Sequence, residues 1–80
     1  MPRYLLHHQH EPEECGAVFA SFNGHESPLR HRPTIASCRF GGHAIWWCVS
    51  VGSEQAALGL LPHYVAARTT ASPVALVDIP

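Results

Sequence analysis

The sequence predicts a small α+β domain with the element order β-α-β-β-α-β. Three observations carry that expectation: an alternating stretch at residues 3–10, a Gly41-Gly42 pair between two further alternating stretches, and helical spacing of apolar residues on either side of that hairpin. "RYLLHHQH" has period two, which puts Tyr4, Leu6, His8 and His10 on one face and Arg3, Leu5, His7 and Gln9 on the other. The first set starts more apolar and is assigned to the core. Pro12 suits a first helical turn, Glu13 and Glu14 favour the positive end of the helix dipole, and Cys15, Val18, Phe19 and Phe22 recur at helical spacing. Asn23-Gly24 supplies a left-handed cap. Residues 25–33, "HESPLRHRP", form a polar connection whose His25, Arg30, His31 and Arg32 are expected to face water.

From Thr34 to Val51 a hairpin with Gly41-Gly42 as its two-residue turn sets a register. Phe40 opposes His43, Cys38 opposes Ile45, Ala36 opposes Trp47 and Thr34 opposes Val49, giving one largely apolar face. Ile35, Ser37, Arg39, Ala44, Trp46, Cys48 and Ser50 lie on the other. Ser53 caps a second helix with the stripe Ala57, Leu60, Leu61, Tyr64 and Val65, which Pro62 kinks or divides. "PVALVDIP", residues 73–80, is the expected last strand. This order is that of the ferredoxin-like fold, with strand order 4-1-3-2 and both helices on one face of an antiparallel sheet.

Eighty residues make one domain, and so short a chain buries only roughly 60% of the surface its unfolded form exposes. Hydrophobic residues are 46% of the chain and charged ones 14%, so some apolar area is expected to be covered by a second copy, as a homodimer. Net charge is -1, with five arginines and no lysine, which excludes the broad basic field that nucleic acids or anionic membranes require. A basic leader and a long apolar run are both missing, so the expectation is a soluble, cytoplasmic protein. Cys15, Cys38 and Cys48 form no C-x-x-C pair and are expected as reduced thiols.

Residues 39–62, "RFGGHAIWWCVSVGSEQAALGLLP", carry a resemblance. Arg39, the Gly41-Gly42-His43 turn, Ser53, Leu58 and Leu61-Pro62 stand where the muconolactone isomerase and YCII-type branches of the dimeric α/β-barrel superfamily often have similar residues. "WWCVSV" is similar to a strand of small nickel-binding members of that superfamily. The resemblance implies the architecture, a dimer closed over the open sheet faces, and no catalytic residue is carried over from it.

The chemistry concentrates in "HHQHEPEEC", residues 7–15, with three histidines, three glutamates and one cysteine. An antiparallel neighbour brings the end of the first strand beside the hairpin tip, so His8, His10 and His43 converge there. Neutral imidazoles suit nickel, zinc or copper, and Glu14, Cys15 or water completes the set. The competing account makes the stretch a strand end and helix cap: His8 a core residue with one hydrogen bond, the glutamates partners of the helix dipole. A second constellation lies on the mixed sheet face, where His7, Gln9, Ser37, Arg39, Trp46 and Cys48 would line a small-ligand pocket in the dimer. There His7 is the candidate general base and Arg39 the candidate carboxylate clamp of an isomerase or lyase. A packed dimer interface around Trp46, or a non-catalytic interaction module, competes with it.

Overall fold

In the computed structural model, which describes residues 1–80, four strands form one antiparallel sheet, in the spatial order Ile35–Ala36 (β2), Ala44–Ser50 (β3), Arg3–Gln9 (β1) and Thr69–Val74 (β4). The chain runs through β1 (Arg3–Gln9), a 3-10 turn at Pro12–Glu14, α1 (Cys15–Ala20), β2 (Ile35–Ala36) and a second 3-10 turn at Cys38–Phe40. It continues through β3 (Ala44–Ser50), α2 (Glu54–Leu58), α3 (His63–Ala66) and β4 (Thr69–Val74). The α+β class is as the sequence predicts.

Alternation in β1 and β3 decides which face is covered. Leu6 pairs with Trp47, Tyr4 with Val49 and His8 with Ile45. Leu6, Ile45, Trp47 and Val49 are buried against Val18 of α1, Ala57 of α2, Leu61 of the turn that follows α2, and Val65 of α3, with Leu29 reaching in from the 25–33 connection. The opposite face carries Leu5, His7, Trp46, Cys48 and Val74. On it the His7 ring stacks on Trp46, with centroids 5.4 Å apart and planes 13° apart.

Pro62 divides the second helix into two short pieces, since it supplies no N–H to an interior turn. Ser53 caps the first piece through its Oγ, which accepts from Ala56 N–H at 3.0 Å.

Two expectations are corrected. The hairpin does not turn at Gly41-Gly42 alone. Its pairs are Ile35 with Trp46 and Ala36 with Ile45, two residues away from the predicted register, and residues 38–43 form the connection. Ser37 stops the ladder: its N–H donates to Ala44 O at 2.9 Å, and its hydroxyl accepts from Ala44 N–H at 3.1 Å. Gly41 then takes φ 83° and His43 φ 49°. A shift of two preserves the faces, so the core assignment survives it. Cys38, Arg39 and Phe40 leave the sheet, however.

The last strand is Thr69–Val74 rather than residues 73–80. It ends there because its partner does: Val74 lies opposite Arg3, the first residue of β1. Pro73 is tolerated because β4 is an edge strand.

Leu6 is fully buried beneath the helices, whereas Leu76 is 83% exposed beyond β4. Leu6→Ala is expected to lower the unfolding free energy by about 2–5 kcal/mol, and Leu76→Ala by less than about 0.5 kcal/mol. Urea denaturation of both variants checks this, and similar midpoints for the two would remove Leu6 from the core.

Candidate metal centre

At the carboxyl end of β1 the backbone itself joins the site's halves. His10 N–H donates to His43 O at 3.1 Å, continuing the β1–β3 ladder past Ala44. The 38–43 connection folds back over this end, and the 3-10 turn from Pro12 delivers the start of α1. Four donor residues meet there, Cys38 and His43 from the connection, Cys15 from the start of α1 and His10 from the strand end, their ligand atoms all within 4.8 Å of one another. A tetrahedral ion with Zn–S near 2.3 Å and Zn–N near 2.0–2.1 Å needs donor separations of about 3.3–3.8 Å. Closing the group therefore takes side-chain shifts of no more than about 1 Å.

Hydrogen bonds fix which nitrogen His10 offers. The Thr69 hydroxyl donates to Val65 O at 2.7 Å, because a carbonyl only accepts. Its oxygen then accepts from His8 Nδ1–H at 3.1 Å, which leaves His8 Nε2 bare. That nitrogen accepts from His10 Nδ1–H at 3.0 Å. His10 Nε2 consequently keeps its lone pair, 3.9 Å from Cys38 Sγ. A ligating histidine held through its other nitrogen is the usual outer arrangement of metal sites.

Burial pushes the His8 and His10 pKa values below the ordinary 6.5, helped by His10 for the first and by His43 for the second. Both rings are thereby kept neutral, the form that binds a cation. Burial also pushes the Cys38 thiol up, and the neighbouring Cys15 adds to the shift. Two sulfurs side by side resist becoming thiolates until a cation stands between them. His43 Nδ1 is buried with no hydrogen-bond partner, although imidazole nitrogens in such places are normally satisfied.

His10, His43 and Cys15 of the expected ligand set are thus brought together. His8 and Glu14 stand outside the four-donor group for identifiable reasons. The two nitrogens of His8 are used by Thr69 and His10. Glu14 is held by Arg68, whose Nη2 and Nε each lie 2.9 Å from Oε2, by Tyr64 O–H at 3.3 Å, and by Glu11 N–H on Oε1 at 2.9 Å. Its carboxyl is held below the ordinary range, first by the Glu11 N–H and then by Arg68. Glu14 ties the start of α1 to the end of α3.

Cys38 enters the group because the ladder stops at Ser37; in the longer hairpin it belonged to the core face. The signal available in the sequence was Ser37, a residue that bonds its own backbone neighbours and interrupts strands.

On the other sheet face, His7, Trp46 and Cys48 remain together, with Gln9 at the strand end. Arg39 does not join them, being exposed on the 3-10 turn. None of the chain's three grooves is lined by His7, Arg39 or Trp46. One groove of about 250 Å³, bounded by Gln9, Glu11, Glu14 and Gly42, opens onto His10 and His43.

No protein-family model matches this chain, and neither a curated protein nor a solved structure matches it. No helix is long and apolar enough to cross a membrane.

Because the folded pKa of His8 lies below its unfolded value, the unfolded chain binds more protons and stability falls as pH falls through 6.5. The thermal midpoint of metal-free protein is expected to drop between about pH 7.5 and about pH 5.5, with a smaller drop in His8→Asn. Equal slopes in the two proteins, recorded by circular dichroism, would remove His8 as a source of the pH dependence.

Proposed function

We propose that this protein binds one divalent transition metal ion, zinc before nickel or copper, through His10, Cys15, Cys38 and His43. The observation that carries it is the meeting of four donor residues from separate segments within 4.8 Å, among them a histidine whose free lone pair is fixed by its neighbours and another, His43, with a buried, unpartnered ring nitrogen. A tetrahedral two-sulfur, two-nitrogen set favours zinc over the square-planar geometries of nickel(II) and copper(II). With four protein ligands the ion has no open position, so its role is structural, tying the hairpin connection to β1 and α1. His8 and Thr69 orient His10, and Glu14 braces the helix that carries Cys15. A reducing, cytoplasmic setting keeps both sulfurs available as thiolates.

The test is elemental mass spectrometry of untagged protein, followed by zinc titration. About one equivalent per chain is expected, absent from Cys38→Ser and His10→Ala and retained in Cys48→Ser. Zinc at about a thousandfold over its dissociation constant adds about 4 kcal/mol, which in a domain this size raises the melting midpoint by on the order of 15–30 °C. Uptake that does not saturate, or that is equal in Cys38→Ser, would overturn the assignment.

A ferredoxin-like arrangement is supported by the strand order, which read from β4 is 4-1-3-2, and by burial of both helical segments on one face. The proposed dimer rests on a different observation. The open face exposes Leu5 and Val74 beside the His7–Trp46 stack, an aromatic and aliphatic surface of the composition that interface cores have. Sedimentation equilibrium is expected to give a dimer for the parent and a monomer for Trp46→Glu; a monomeric parent refutes the dimer. An isomerase or lyase using His7 and Arg39 has less support, because Arg39 stands off the sheet.

A further inference from the structure

We propose that the groove between α1 and the 21–34 connection is a second binding site, independent of the metal centre, for a small apolar monocarboxylate with a single ring or short branched chain. Its walls are Phe19 and Phe22, its floor is Leu29 and Trp47, and Arg30 and Thr34 stand at its rim, around a volume of about 260 Å³. Pockets for drug-sized ligands run to about 300–1,000 Å³, so the occupant is smaller than those ligands.

Two observations point to an occupant with an apolar body and an anionic end, and a third concerns the groove's place in the chain. Phe19 is 53% exposed although it lines the same groove as the core residue Trp47, and Phe22 lies 6.3 Å from that indole, so an aromatic wall is left uncovered. The rim is cationic and unpaired. The guanidinium of Arg30 makes one long hydrogen bond, 3.4 Å to His25 O, and no salt bridge, which leaves most of its five N–H donors free, and no carboxylate lines the groove. The third observation concerns the backbone. His31, also on the rim, holds φ 60°, a left-handed value that non-glycine residues adopt at a cost and that clusters at functional sites.

The segment carrying these residues is ordered without regular structure. Between Ala20 and Ile35 lie 14 residues with no helix or strand, a length uncommon in a compact domain unless the connection is functional or a linker. It is pinned by buried Leu29, by Leu29 N–H donating to Ser27 Oγ at 3.2 Å, and by His25 Nε2 at 3.1 Å from Leu60 O. Arg30 is thereby presented over the apolar floor rather than trailing in solvent. An acid whose ring lies on Phe19 and Trp47 sets its carboxylate against that guanidinium.

The probe is phenylacetate, titrated into isotopically labelled protein and followed by amide and indole N–H resonances, with phenylacetamide as the neutral isostere. Saturable shifts are expected at the Trp47 indole and along residues 19–34, with the Trp46 indole on the other sheet face unmoved. Phenylacetamide, and phenylacetate on Arg30→Gln, should bind at least about tenfold more weakly, the loss of one charge-assisted pair. Arg32→Gln, which removes an equal charge from a neighbouring groove, should bind as the parent does. The proposal is overturned by an absence of saturation up to about 10 mM, by equal affinity for the amide, by indifference to Arg30→Gln, or by shifts centred on His10 and His43.

Discussion

Strand β1 is hydrogen-bonded along both edges, to β3 from Arg3↔Ser50 to Gln9↔Ala44 and to β4 from Arg3↔Val74 to His8↔Thr69. The mutual placement of the centre's histidines follows from that double pairing. The β3 side places His43 beside His10 and hangs the 38–43 connection over the strand end. The β4 side places Thr69 beside His8, which orders the two rings. Sliding β1 by one residue against either neighbour would turn His8 and His10 to the open face and break both relations at once.

The site shows how a small core accommodates polar groups. His8 is fully buried next to Leu6, yet each of its nitrogens has a partner, and the chain of donors ends on the Val65 carbonyl. His43 breaks the pattern with its unpartnered nitrogen. Buried groups without partners cost about 1–3 kcal/mol, and the proposed cation, shared with Cys15 and Cys38, would offset that penalty if it took this nitrogen. In an 80-residue domain, whose core alone gives limited stability, the proposed metal clip would join three segments and add to that stability.

The two left-handed histidines divide the molecule's chemistry. His43 sits at the sulfur and imidazole end, and His31 sits at the aromatic groove on the helical side. Each lies in a connection rather than in the sheet, where irregular backbone can turn side chains away from the alternation that regular pairing enforces. The sheet and helices supply the rigid frame between the two places.

Period-two alternation in "RYLLHHQH" and "AIWWCVS" determined which side chains face the core, and it did so independently of register because a shift of two keeps the faces. Helical spacing and Pro62 likewise determined where helices form and where the second divides. The convergence of His10 with His43 was legible for the same reason, since antiparallel order brings those two ends together. The tertiary structure alone decided the rest. Whether Cys38 belonged to a strand or to the site depended on Ser37 bonding Ala44 instead of extending the ladder, a competition between two local hydrogen-bond patterns that periodicity does not register. Glu14 was taken by Arg68, 54 residues further along the chain, and His8 by Thr69, 61 residues away. Such pairings are absent from any local pattern, because they exist only once the folded chain has brought distant segments within a hydrogen bond's length.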